Sequence, residues 1–111
     1  RWFRFAELKL LYAEALIQGG GNIATAFDQI DDIRNRAGLG PVDRSLDPLT
    51  AMMQEKRVEM ALEPHRWFDI TRWEIGSQVF GAAWRDQFNV FPFPLSEIDR
   101  SKGLLIQNSG Y

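Results

Sequence analysis

The sequence predicts an all-α chain that ends in a long irregular C-terminal tail. Three observations carry that prediction. Apolar residues recur at the spacing of a helix face through the first half of the chain. Glycine, asparagine and aspartate–proline steps divide those stretches where helices stop and start. Nowhere do apolar and polar residues alternate long enough to build a sheet.

The first helix runs from Trp2 to Gln18, with only Arg4, Glu7, Lys9, Glu14 and Gln18 charged or strongly polar. A helix apolar on most sides is buried on several faces. Gly19-Gly20-Gly21 stops it, and Asn22 caps the next, its side-chain oxygen accepting from the unpaired N–H groups of a first turn. In the second helix Ile23, Ala26, Phe27, Ile30, Ile33 and Ala37 share one stripe. Gly38 suits the left-handed position past the helix end, with Leu39 folding back on Ile33. Two helices joined by a short glycine turn make an antiparallel hairpin.

Residues 38–47 read as loop. Asp47-Pro48 opens a third helix, with the aspartate as cap and the proline at the first helical position. It should run to about Leu62, because Pro64 biases Glu63 away from helical geometry. A short helix from His65 to Trp73 follows. Beyond Gly76 the pattern weakens, Phe91-Pro92-Phe93-Pro94 argues for extended chain, and Ser96 with Asp99 starts a last helical turn.

Composition excludes several classes of function. A chain of 111 residues with 45% hydrophobic content suits one compact domain spanning 1–111. It opens on Arg1-Trp2-Phe3, already inside an apolar helical pattern and with no initiator methionine, so it reads as the C-terminal portion of a longer protein. Zero cysteines means no disulfide framework, no thiolate metal site and no cysteine nucleophile. A net charge of −2 gives no broad basic field for nucleic acid or an anionic bilayer. No apolar run approaches the roughly 20 residues that cross a membrane.

The most informative stretch is Glu55 to Trp73. Glu55, Glu59 and Glu63 recur every fourth residue, forming one acidic ridge if they share a helix, and like charges at that spacing oppose the helix unless compensated. Arg66, Asp69 and Arg72 follow, interleaved with Trp67, Phe68 and Trp73. Guanidinium groups pair with carboxylates through two parallel hydrogen bonds and stack on aromatic faces. The expected arrangement is a structural charge network of Glu55, Glu59, Glu63, Arg66, Asp69 and Arg72 under an aromatic lid, with Arg66 substantially buried on the ladder.

Other chemistry fits less well. Carboxylate-bridged di-metal bundles use a Glu-x-x-His spacing that is absent, and His65 is the only histidine. No metal site and no cofactor are expected. His65 one turn before Asp69 is a conceivable dyad, but a lone histidine in such a segment is more often packed or capping. Ser45, Ser77, Ser96 and Ser109 have no nucleophile-elbow pattern around them, and Gly19–Gly21 follows a helix instead of a strand and lacks the lysine of a phosphate loop. No catalytic residue is assigned, and the chain is not expected to be an enzyme. The aromatics are the stronger functional candidate. Trp67, Phe68, Trp73, Phe80, Trp84, Phe88, Phe91 and Phe93 crowd into 65–93. They either fasten the tail to a helical core or offer faces to a sugar ring. Trp84, beside Arg85, Asp86 and Gln87, is the residue expected to be most exposed and the single ligand-binding candidate.

Four stretches also carry a resemblance. They are Arg4-Phe5-Ala6-Glu7 with Tyr12-Ala13-Glu14-Ala15, Ile33-Arg34-Asn35-Arg36-Ala37-Gly38-Leu39, Ala61-Leu62-Glu63-Pro64-His65-Arg66-Trp67-Phe68-Asp69-Ile70 with Arg72-Trp73, and the tail Phe91-Pro92-Phe93-Pro94 with Gln107-Asn108-Ser109-Gly110-Tyr111. In that order they resemble the SusD/RagB family over nearly the whole chain. The resemblance implies tetratricopeptide-like helical hairpins and a non-catalytic, glycan- or other nutrient-binding lipoprotein of the bacterial outer membrane. It implies a cell-surface location, a lipid anchor on an N-terminal cysteine absent from this sequence, and a SusC-like TonB-dependent transporter as partner. It carries over no ligand-contacting residue. A second class of function is a helical-repeat adaptor that binds only protein. Cut from its upstream chain, the first helix is expected to self-associate through Trp2, Phe3 and Phe5, because soluble monomers rarely expose large apolar patches.

Overall fold

The computed structural model describes residues 3–111, which contain helices and turns and no strand. The chain divides into two compact units, Arg1–Arg66 and Trp67–Tyr111.

The first unit holds α1 (Phe5–Gln18), α2 (Ile23–Arg36) and α3 (Pro48–Glu59). α1 packs along α2 as the expected hairpin, and both pack on α3. Between them lie Leu10 and Ala13 of α1, Ala26, Phe27, Ile30 and Ile33 of α2, Ala51 and Met52 of α3, and Met60, all buried. Leu10, Ile30 and Met52 are wholly enclosed. Each stabilises the unit by about 1.5–3 kcal/mol over an exposed side chain.

The end signals act as their chemistry dictates. Asn22 accepts from the Thr25 backbone N–H at 3.2 Å. Gly38 takes φ +75°, and the Leu39 N–H reaches back to the Arg34 carbonyl at 2.9 Å. Asp47 accepts from both the Thr50 N–H and its hydroxyl, each at 2.8 Å. These contacts hold the Asp47 carboxyl below its ordinary range, the Thr50 backbone N–H contributing most.

On α1 the side chains of Phe5, Leu8 and Tyr12 are exposed, on the helix through which self-association is expected, and Glu7 and Glu14 are buried. Two expectations for this unit are corrected. Arg4 is extended ahead of the helix, so α1 starts at Phe5, and Trp2 lies outside the described residues. α3 ends at Glu59, three residues before the expected Leu62. Leu62 adopts φ +66° with its side chain fully exposed, and the Glu63 N–H closes a turn on the Met60 carbonyl. Glu63 therefore follows the ridge's helix and is not on it.

The second unit contains α4 (Arg66–Arg72, whose first residue closes the first unit), α5 (Gly76–Phe80) and α6 (Leu95–Arg100), with 3-10 turns at Gly81–Ala83 and Asp86–Asn89. α5 was not anticipated, because five residues are too few to show a periodicity. Glu74 sits past the end of α4 at φ +56°, and the next N–H, from Ile75, bonds the Ile70 carbonyl at 3.1 Å.

Ahead of α6 the chain is extended, as Phe91 to Pro94 predicted, beyond it the chain turns at Lys102 and Gly103, and side chains tie the two stretches together. The Gln107 carboxamide accepts from the Phe93 N–H at 2.8 Å and donates to the Phe93 carbonyl at 2.9 Å. The Asn108 carboxamide donates to the Phe91 carbonyl at 2.7 Å. The Tyr111 hydroxyl lies 3.1 Å from the Gln87 carbonyl and 3.0 Å from that of Val90.

Candidate functional site

The acidic ladder is met by guanidinium groups from upstream. Arg4 donates to Glu59 Oε1 at 2.8 Å, to the Glu59 carbonyl at 2.8 Å and to Glu63 Oε2 at 3.2 Å. Its Nη2 is also 2.6 Å from Glu63 Oε1 and 3.1 Å from Met60 Sδ. Both carboxylates hold this guanidinium above even its usual high pKa, the Glu63 hydrogen bond contributing most and that of Glu59 next. Arg36 Nη2 lies 2.7 and 2.8 Å from the two oxygens of Glu59. Arg34 reaches Glu55 Oε2 at 3.0 Å and the Gly40 carbonyl at 2.8 Å. One forked donor thus bridges the start of α1 to the end of α3, and α2's last turn supplies the other two.

Arg4, Arg34 and Arg36 are network residues the sequence reading did not name. Their separation of 21–59 residues from the glutamates hides them until the fold is known. Arg66 is half-buried and engaged in an interaction of its own. Asp69 is buried, and Arg72 donates to its Oδ1 from Nε at 3.0 Å and Nη2 at 2.9 Å. The Arg72 guanidinium also lies over the Trp73 ring, 4.5 Å from its centroid.

His65 sits between two carboxylates, with Nδ1 3.4 Å from Glu7 Oε1 and Nε2 3.9 Å from Glu63 Oε2. Glu7 Oε2 is buried with no hydrogen-bond partner among the described residues. No three His, Cys, Asp or Glu side chains gather as a metal site among the described residues. The arrangement clamps three helices together and presents no nucleophile.

The second unit carries the other candidate. Trp84 was expected to be the exposed aromatic, and it is half-buried. The Phe80 ring lies parallel to it at 5.8 Å, Trp67 is tilted at 5.6 Å, and Phe88 stands edge-on at 5.7 Å. Gly76 abuts the indole so closely that a Cβ there would fall 2.1 Å from Cε2. The polar sequence around Trp84 is only half the story, because α5 and the turns fold the flanking aromatics onto it. Trp67, Phe80 and Phe88 with Trp84 line a shallow apolar groove. Trp84 also borders a polar cleft of about 380 Å³ lined by Thr71, Glu74, Ser77, Asp86 and Asn89. Of the other aromatics of residues 65–93, Phe68, Phe91 and Phe93 are exposed.

The chain's relatives agree with this architecture. The sequence model of the SusD family matches residues 1–87. SusD-like protein P2 of Formosa agariphila is 32% identical, the match covering 97% of this chain and 25% of that protein. Starch-binding protein SusD of Bacteroides thetaiotaomicron is 29% identical, covering 98% of this chain and 21% of that protein. Among solved structures, surface glycan-binding protein A from Bacteroides thetaiotaomicron superposes with a TM-score of 0.84 at 28% identity, over 98% of this chain and 24% of that one. The chain spans about a quarter of the length of these relatives. With tetratricopeptide-like helices in the expected places and the family's sequence pattern over most of its length, the chain belongs to the SusD family.

Proposed function

We propose that this chain is the helical C-terminal portion of a non-catalytic nutrient-binding protein of the bacterial outer membrane. The full-length protein captures oligosaccharides at the cell surface, held there by a lipid on an N-terminal cysteine, and passes them to a SusC-like TonB-dependent transporter. One observation carries this reading: the SusD-family match extends over most of the chain, and two similar proteins are named for binding starch and surface glycan. The chemistry of the first unit supports it, since its conspicuous carboxylates are held by arginines and are not poised for acid–base work. No helix among the described residues is long and apolar enough to cross a membrane, which fits attachment through a lipid.

Isothermal titration of the full-length protein against maltohexaose, cellohexaose, mannohexaose and xylohexaose tests the binding. Co-purification with a co-expressed SusC-like transporter tests the partnership. Saturable binding without release of new reducing ends is expected. Hydrolysis of a bound glycan, or no binding to any of them, refutes the reading.

A further inference from the structure

The polar cleft of the second unit is unexplained by family membership alone. We propose that it is a subsite for one ring of a neutral carbohydrate chain, an inference that rests on the glycan-binding reading above. The cleft, about 380 Å³ and lined by Thr71, Glu74, Ser77, Trp84, Asp86 and Asn89, has room for one pyranose ring with water around it.

Its chemistry matches that ligand on three counts. A sugar hydroxyl both donates and accepts, and the walls offer carboxylates that accept together with hydroxyls and a carboxamide that do both. The carboxylates of Glu74 and Asp86 are held by no described residue, whereas Asp31, Glu55, Glu59 and Asp69 are each paired with an arginine. A cleft with two unneutralised carboxylates and no cation in its wall rejects uronates and sulfated sugars, so the ring is neutral.

The third count is Trp84. Gly76 abuts its indole, and Phe80, Trp67 and Phe88 surround it at 5.6–5.8 Å between centroids. Its position is set before any ligand arrives, so binding costs little side-chain ordering. An indole gives a pyranose an apolar surface for its C–H groups while the polar rim takes its hydroxyls.

Titration of the full-length protein compares wild type with an Asp86→Ala/Asn89→Ala double variant. Both positions are exposed, so the fold tolerates their loss. For whichever of the four hexasaccharides above the wild type binds, the double variant should lose at least tenfold in affinity or one binding equivalent. Trp84→Ala, with folding checked by circular dichroism, should lose at least as much. Unchanged affinity and stoichiometry in the double variant overturn the subsite while leaving the glycan-binding reading intact. A wild type that binds none of the four removes both. Saturable binding of calcium alone, abolished in the double variant with glycan binding untouched, assigns the cleft to a cation and also overturns the proposal.

Discussion

Replacing Glu59 with alanine tests whether the charge clamp stabilises the first unit. Its carboxylate is 11% exposed and accepts from Arg4 at 2.8 Å and from Arg36 at 2.7 Å. Removing one partner of a fully buried pair costs about 3–5 kcal/mol, and loss of a surface pair costs about 0.2–1 kcal/mol. Arg4 is 28% exposed and keeps Glu63, so it is not left wholly unpaired, and Arg36 at 62% is largely hydrated already. The expected loss lies between those limits, at about 2–3 kcal/mol for Glu59→Ala and below about 1 kcal/mol for Arg36→Ala. For a domain of this size about 1 kcal/mol shifts Tm by about 4 °C, so Glu59→Ala should melt about 8–12 °C low. Thermal unfolding followed by circular dichroism reads both variants. A double-mutant cycle with Arg4→Ala should show coupling of about 1–2 kcal/mol. Indistinguishable melting of Glu59→Ala and Arg36→Ala, with no coupling to Arg4, would refute the clamp.

Three further outcomes follow from named contacts. Gly76→Ala places a methyl 2.1 Å from the Trp84 ring, so it should cost about 1–3 kcal/mol and change the near-ultraviolet dichroism of the aromatic cluster; an unchanged spectrum and Tm would contradict that packing. Leu62→Gly removes a fully exposed side chain from a residue at φ +66°, and relief of the left-handed strain less the glycine entropy should raise stability by about 0.5–1 kcal/mol, where a lower urea midpoint would count against it. Because the folded pKa of Asp47 is depressed, its contribution is present above the ordinary aspartate value of about 3.9 and is lost as pH falls through the depressed one. Asp47→Asn caps as well without titrating, so it should match wild type at neutral pH and lose less Tm on acidification; parallel Tm–pH curves would exclude that cap as a titrating element.

The helical hairpin and its ends were legible because each signal acts locally. Asn22, Gly38 and Asp47-Pro48 dictate backbone hydrogen bonds within a few residues of themselves. The end of α3 at Glu59 was not legible, because Leu62 adopts an uncommon left-handed backbone for a residue with no special preference for it. The burial of Glu7 and Glu14 beside Leu10 and Ala13 was not legible, since helix composition alone cannot say which stripe faces the neighbours. The spacing of the ladder predicts a need for compensation without naming its source. Its arginines came from α2 and from the residue ahead of α1, across distances in sequence that no periodicity spans. In the second unit the crowding of aromatics was visible and their mutual packing was not, because it depends on α5, a helix too short to leave a pattern.

The side-chain ties of the tail bear on how this protein behaves in company. Phe91, Leu104 and Ile106 are exposed on extended or turning chain, which resembles the apolar edge that recruits other chains into shared sheets. At Phe93 both backbone groups, N–H and carbonyl, are already taken by a single glutamine, and the carbonyls of Gln87, Val90 and Phe91 are taken by Tyr111 and Asn108. Pro92 and Pro94 have no N–H to offer. A passing strand therefore finds sticky side chains and almost no free main chain with which to register. The last five residues thus shield this stretch: trimming them at Gln107 frees the backbone groups of Phe91 and Phe93 and the carbonyls of Gln87 and Val90, and should raise self-association as read by light scattering.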